Sequence, residues 1–86
     1  MAHFAEMKDN KVQQVIVIAN ENCDNLPFPE SEPVGQAFIA ELGLSGEWLQ
    51  TSYSGSFRNL FAGIVFSFDP TIGEYGAFVP MATTEA

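Results

Sequence analysis

The chain has 86 residues, of which 47% are hydrophobic, and its 11 acidic residues against 3 basic ones give a formal net charge of −8. This length corresponds to one domain, and the apolar content is too high for a disordered chain. Three basic side chains are too few to neutralise a phosphate backbone, which argues against direct nucleic-acid binding. No apolar run reaches the ~20 residues that a bilayer span needs, so no membrane partner is expected.

The beginning of the chain predicts a β-hairpin. The segment 2–7 alternates weakly between apolar and polar residues, and the sequence KDNK follows at positions 8–11. Asp and Asn tolerate the left-handed backbone that a tight hairpin turn requires. The segment 12–19 is β-branched nearly throughout, which makes it the strongest strand signal in the chain.

This second strand is apolar on both of its faces. Simple alternation places Val12, Ile16 and Ile18 on one face, and Val15 and Val17 on the other. A strand of this kind is usually covered on both sides. We therefore expect Val15 and Val17 to lie near an interface if the chain itself covers only one side.

The segment 31–42 predicts the only helix. Ser31 supplies a capping hydroxyl, and the acid and proline that follow are typical of a first turn. Val34, Phe38 and Leu42 recur at the helical spacing and are expected to face the sheet. One helix of about three turns covers one face of a small sheet. We therefore expect another copy or another protein to cover the second face.

Three further strands are predicted at 47–53, 64–69 and 77–80. The element order β-β-α-β-β-β predicts an α+β fold, a small antiparallel sheet of about five strands with one helix packed on one face. Residues 1–80 are expected to form this single domain. Residues 81–86 are expected to form a flexible tail.

The strand 64–69 has the alternation of a half-buried strand. Ile64, Phe66 and Phe68 lie on its apolar face, so we expect all three in the core. The alternate positions would face the opposite side. In this interpretation most aromatic residues of the second half serve the core rather than a binding surface.

No residue pattern predicts a catalytic, metal or cofactor site. His3 is the only histidine and is expected to be an ordinary strand residue. Cys23 lies among acidic residues that raise the pKa of a thiol, in a loop that we expect to be solvated. The chain has no phosphate-binding loop, nucleophile elbow or zinc-ligand spacing. We therefore expect a protein that is not an enzyme and binds no cofactor.

The candidate interaction residues lie near the centre of the chain and on the second strand. Trp48 and Tyr53 lie on opposite faces of their strand, so one of them is expected to face away from the helix. Arg58, the only arginine, could anchor a carboxylate of a partner or stack on an aromatic ring. The structural alternative, pairing with Asp69 or capping backbone carbonyls, is favoured. With Val15 and Val17, these residues are the predicted interaction set.

The central part of the sequence, together with its beginning, resembles a known family of proteins. The segments WLQTSY at 48–53, FR at 57–58, AGI at 62–64 and AFVP at 77–80, with the start MAHFA at 1–5, resemble a family of small proteins from marine tailed phages. The phages of cyanobacteria are the main source of these proteins. The resemblance implies an uncharacterised or virion structural protein and brings no catalytic residues with it.

Two functions follow as expectations. The first is a virion structural or accessory protein, such as a decoration or tail-associated protein, that acts as a homo-oligomer through protein–protein contacts. The alternative is an acidic host-takeover factor in the cytoplasm of the infected host that binds a host protein or mimics nucleic acid. The acidic residues are spread singly through loops rather than at phosphate spacing, so the charge is more simply explained as a means of keeping the domain soluble.

Overall fold

The computed structural model of the protein describes residues 1–80, and the predicted tail 81–86 lies outside the described residues. Within the described range the chain forms five strands and one α-helix in the predicted order. The elements are β1 (Ala2–Lys8), β2 (Lys11–Ile18), α1 (Ser31–Glu41), β3 (Glu47–Thr51), β4 (Ser67–Asp69) and β5 (Ala77–Val79). The predicted α+β fold is confirmed.

The five strands form one antiparallel sheet in the order β3-β1-β2-β4-β5. β1 lies between β2 and β3 and pairs with both along most of its length. β2 and β4, in contrast, meet only at Lys11 and Ser67. Phe68 and Phe78 pack in the same core cluster as Ala5 of β1. The narrow junction therefore lets β4 and β5 fold over one face of the first three strands.

The predicted hairpin is confirmed, and it contains a bulge that alternation alone does not reveal. Asp9 and Asn10 take left-handed φ angles of 52° and 60° in the turn. Met7 then pairs with Val12, whereas Glu6 pairs with Gln14, so one residue of β2 is extra. The bulge moves Val12 to the face of Val15, which corrects its predicted position beside Ile16.

The helix buries a stripe that differs by one residue from the predicted one. α1 buries Ser31, Gly35 and Ile39, whereas the predicted Leu42 is 56% exposed. The cause is a close approach to β1, since a Cβ atom at Gly35 would lie 2.2 Å from Cζ of Phe4. The Ser31 hydroxyl donates to Oε1 of Gln50 at 2.7 Å and forms no capping hydrogen bond, so the predicted helix cap is wrong.

The chain itself covers part of the second face of the sheet. Ala62, Phe66, Phe68 and Phe78 pack there against residues of β1 and β2, including the half-buried Val15. The prediction that β2 is covered on both sides is therefore confirmed over this part of the strand. Residues of the same chain provide this cover, however. There is therefore no longer a reason to expect a partner over this part of the face.

The fourth strand is shorter than predicted and begins after a turn. The Phe66 N–H donates to the Gly63 carbonyl at 3.0 Å, and Val65 takes a left-handed φ of 62°. Ile64 is 58% exposed, so its predicted place in the core is wrong. Phe66 and Phe68 do pack in the core. Alternation failed here because the backbone is extended only from Ser67 onward.

The connection between β2 and α1 is also more ordered than a solvated loop. Asn20–Cys23 forms a 3₁₀ turn, and Cys23 is buried in the core on the helix side. Burial, and next the negative charge of Asp24, raise the pKa of the Cys23 thiol. Phe28 then holds the connection in place by stacking on Phe57 with ring centroids 3.8 Å apart.

The approach of α1 to β1 predicts the effect of a substitution at Gly35. Gly35→Ala gains about 1 kcal/mol of helix propensity, but the added methyl collides with the buried Phe4 ring. Overpacking costs about 1–3 kcal/mol, so we expect a net loss of unfolding free energy in urea titrations. Phe4→Leu in the Gly35→Ala background should recover part of this loss. A more stable Gly35→Ala variant would contradict the close approach.

Candidate functional site

The segment between β3 and β4 is irregular and carries Arg58 at its centre. Arg58 takes a left-handed φ of 57°, and its guanidinium points into the molecule, where the side chain is 8% exposed. Nη1 and Nη2 both donate to the Glu32 carboxylate, the second over 3.1 Å. This two-point ion pair ties the irregular segment to the first turn of α1.

The same ion pair caps the exposed edge of β3. Nη1 of Arg58 donates to the Gln50 carbonyl at 3.0 Å, and Glu32 Oε2 accepts from the Gln50 N–H at 2.8 Å. Gln36 Nε2 donates to the Trp48 carbonyl at 2.6 Å. Side chains therefore satisfy backbone groups that an edge strand would otherwise offer to another chain.

Arg58 also reaches the opposite edge of the sheet. Its own carbonyl accepts from the N–H of Phe78 in β5 at 3.1 Å, and its Nε donates to the Tyr75 carbonyl at 3.0 Å. β3 and β5 are the two edge strands. One residue thus joins both edges of the sheet and the helix.

Two aromatic rings complete the surroundings of the guanidinium. Its central carbon lies 5.0 Å from the centroid of Phe28 and 5.1 Å from that of Phe68. The structure therefore agrees with the structural interpretation of Arg58, which caps backbone carbonyls as predicted, but the predicted partner Asp69 is wrong. The Asp69 carboxylate instead accepts from the hydroxyl and the N–H of Thr71, and these two hydrogen bonds, the hydroxyl first, lower the pKa of Asp69.

The other predicted interaction residues divide into two groups. Trp48 is buried, and its indole N–H donates to the Ser45 carbonyl at 3.2 Å. Val15 is half-buried and packs against the core on the second face of the sheet. Neither is presented to a partner. Tyr53 is 75% exposed, and Val17 is also exposed.

Tyr53 and Val17 belong to one surface, which we call the aromatic patch: His3, Val17, Tyr53 and Phe61. The His3 ring stacks on Tyr53 and meets Phe61 edge-on, with centroids 5.6 Å apart in both pairs. Tyr53 and Phe61 are 5.3 Å apart. His3 pairs with Val17 in the β1–β2 ladder, which places the valine beside the rings.

Sequence reasoning missed His3 and Phe61 as members of this surface. Tyr53 and Phe61 lie in the irregular segment, where no periodicity indicates which side chains meet. His3 is in β1, and only the strand register brings it opposite Thr51, close to the end of β3. The high density of aromatic residues between positions 48 and 68 was a weak indication that some of these rings meet at the surface.

The aromatic patch favours an uncharged histidine. Burial, with a smaller contribution from the positive amino terminus, lowers the pKa of His3 from its usual value of 6.5. A neutral imidazole is also the form that stacks on Tyr53 without placing a cation in the patch. The three rings therefore form an uncharged surface at neutral pH.

Serine hydroxyls lie in the depression beside the patch. Ser52 and Ser54 line it, and the Ser52 hydroxyl bonds to the hydroxyls of Ser54 at 3.2 Å and Ser56 at 2.8 Å. Across residues 1–80, no three His, Cys, Asp or Glu side chains are grouped as a metal site requires. In the same part of the chain, every buried polar side-chain atom has a hydrogen-bond partner.

Comparison with known proteins adds no relative. No family model matches the sequence, and searches of curated proteins and of solved structures find no match. Among the described helical segments, none combines the length and the apolar character needed to cross a membrane. The function must therefore be argued from the chain's own geometry.

The Arg58–Glu32 pair is expected to be strongly coupled in a double-mutant cycle. Arg58→Met leaves the 16%-exposed Glu32 carboxylate without its cation, and we expect a loss of about 2–3 kcal/mol of unfolding free energy after allowance for partial solvation. Glu32→Gln with Arg58→Met should cost less than the sum of the two single changes. Lys8→Met, at an exposed position, is the control and should change stability by less than about 0.5 kcal/mol. Additive single effects would contradict the coupling.

Protonation of His3 is expected to destabilise the fold. Because burial lowers the pKa of His3 in the folded state, the unfolded chain binds the proton more readily. Stability is therefore lost as the pH falls below about 6.5 and through the lower folded-state pKa. His3→Phe keeps the aromatic contacts and removes this titration. On acidification the unfolding free energy of the wild-type chain, measured in urea, should therefore fall relative to that of His3→Phe. A His3 pKa above 6.5 by NMR would refute this expected pH dependence.

Proposed function

We propose that the protein is a non-enzymatic structural or accessory protein of a phage particle, such as a decoration or tail-associated protein. It acts through protein–protein contacts with its own copies and with other phage or host proteins. The observation that carries this proposal is the aromatic patch, where three mutually packed rings lie at the surface and Tyr53 is 75% exposed.

The patch has the composition and rigidity of a protein-binding surface. Tyrosine is enriched at interfaces because it combines a large apolar ring with a polar tip. His3, Tyr53 and Phe61 hold one another in place, so little conformational freedom remains to be lost on binding. A partner would therefore gain the burial of apolar area at a small entropic cost.

The strongest polar groups of the molecule are committed to the fold, which supports the same conclusion. Arg58 and Glu32 bond to each other and to the backbone of β3. The sequence that resembles the phage family runs across both Tyr53 and Arg58. In this geometry Arg58 closes the fold and Tyr53 remains at the surface, so recognition depends on the aromatic patch.

Mass spectrometry of purified particles of the phage that encodes the chain tests the proposed location. We expect the protein in stoichiometric copies relative to the major particle proteins. Its absence from particles, with synthesis in infected cells, would refute the proposal. That result would favour the acidic host-takeover factor, whose place is the cytoplasm of the infected host.

The aromatic patch should control incorporation into the particle. Tyr53→Ala removes the most exposed ring and is expected to reduce incorporation by about tenfold or more. Leu42→Ala is a matched control because Leu42 is also exposed but lies at the end of α1. Both variants should keep the wild-type circular dichroism spectrum. Equal incorporation of the two variants would show that the patch is not the contact surface.

A further inference from the structure

The turn at residues 63–66, which we call the apolar turn, combines two unfavourable features. Val65 takes a left-handed φ of 62° at the third position of the turn. Glycine or asparagine is usual there, and a β-branched residue is strained. Ile64, the second residue, is 58% exposed, and Val65 is exposed as well. Burial therefore does little to offset the strain.

The apolar turn is nevertheless held firmly. The Val65 N–H donates to the Val12 carbonyl, and the Val12 N–H donates to the Phe66 carbonyl, both at 2.8 Å. These hydrogen bonds fix the turn along the edge of β2 that does not face β1. Ile64 and Val65 are thus presented on a rigid support, which reduces the entropy lost on binding.

The two edge strands and the covered part of the second sheet face are poor routes for two copies to associate. Side chains of Glu32, Gln36 and Arg58 cap backbone groups of the β3 edge. The Arg58 carbonyl accepts from the β5 edge. The chain's own aromatic residues cover the second sheet face as far as Val15. Strand addition at β3 or β5, and packing on the covered part of that face, would therefore have to displace existing contacts.

The distribution of charge also favours contact between two copies at the end of the molecule that carries the apolar turn. Two copies that each carry −8 repel one another in most orientations. Lys8 and Lys11 both flank the β1–β2 turn, and Lys11 pairs with Ser67 directly after the apolar turn. Both lysines are exposed. Even with the exposed Asp9 between them, the two lysines make repulsion between copies weaker where the apolar turn is presented.

We propose that the apolar turn is the contact through which two copies of this chain associate. Ile64 and Val65 of one copy pack against the same residues of the other around a two-fold axis. This inference rests on the proposed self-association of the protein. It does not depend on whether the protein is a component of a phage particle. The contact is small, so the dimer is weak, with a dissociation constant of roughly tens to hundreds of micromolar.

Sedimentation equilibrium of the purified chain over a range of concentrations tests the contact. We expect a monomer–dimer equilibrium that strengthens as salt screens the repulsion between acidic chains. Ile64→Asp should weaken it by about tenfold or more, because it places a charge in the apolar contact. Leu42→Asp is the matched control, since Leu42 is 56% exposed and lies at the C-terminal cap of α1 instead. It should leave the equilibrium unchanged.

Val65→Asn gives a second readout that a folding defect cannot imitate. Asparagine tolerates the left-handed backbone, so the variant should unfold at a higher temperature than the wild-type chain. The same substitution removes an apolar contact and should weaken the dimer by about threefold to tenfold. Opposite effects on stability and association are expected only if Val65 is strained and serves the contact.

Three results would overturn the inference. The first is a wild-type chain that stays monomeric at roughly millimolar concentration in high salt. The second is an Ile64→Asp variant that dimerises as tightly as the wild type. The third is a dimer that Tyr53→Ala dissociates while Ile64→Asp does not. The proposed function fails separately. A dimer that Ile64→Asp dissociates, in a protein absent from purified particles, would refute only the particle role.

Discussion

The fold depends on one ion pair, between Arg58 and Glu32. It joins the first turn of α1 to the irregular segment after β3, and it caps the backbone of Gln50 on the edge of the sheet. Through its carbonyl, Arg58 also bonds to Phe78 on the opposite edge. A sheet this small has few central strands, so closing its edges prevents the uncontrolled strand pairing that exposed edges invite.

That arrangement determines which surfaces are left for function. The only arginine, its acidic partner and the buried Trp48 all serve the interior. Two exposed surfaces are left: the aromatic patch, where His3 of β1 and Val17 of β2 meet rings of the irregular segment, and the apolar turn. The first supports binding to another protein, and the second supports association of two copies. Both use rigid side chains, which suits a domain that has little surface to bury.

Several errors of the sequence analysis share a cause. Periodicity assumes regular backbone, and it fails wherever the backbone departs from it. A bulge in β2 moved Val12 to the other face, and a left-handed turn at Val65 put Ile64 in solvent. The helix stripe shifted for a different reason. Gly35 allows a backbone approach to Phe4 that larger residues would prevent, and hydrophobicity alone carries no such information.

The sequence by itself determined the α+β class, the order of the elements and the hairpin turn at Asp9 and Asn10, because these follow from local propensity and alternation. Tertiary structure alone decided that Glu32 rather than Asp69 pairs with Arg58, and that His3 meets Tyr53 and Phe61. The ion pair joins residues that are 26 positions apart in the sequence, and the contacts of His3 join residues that are 50 or more positions apart. They depend on how an irregular segment crosses the sheet, and no local pattern encodes that path.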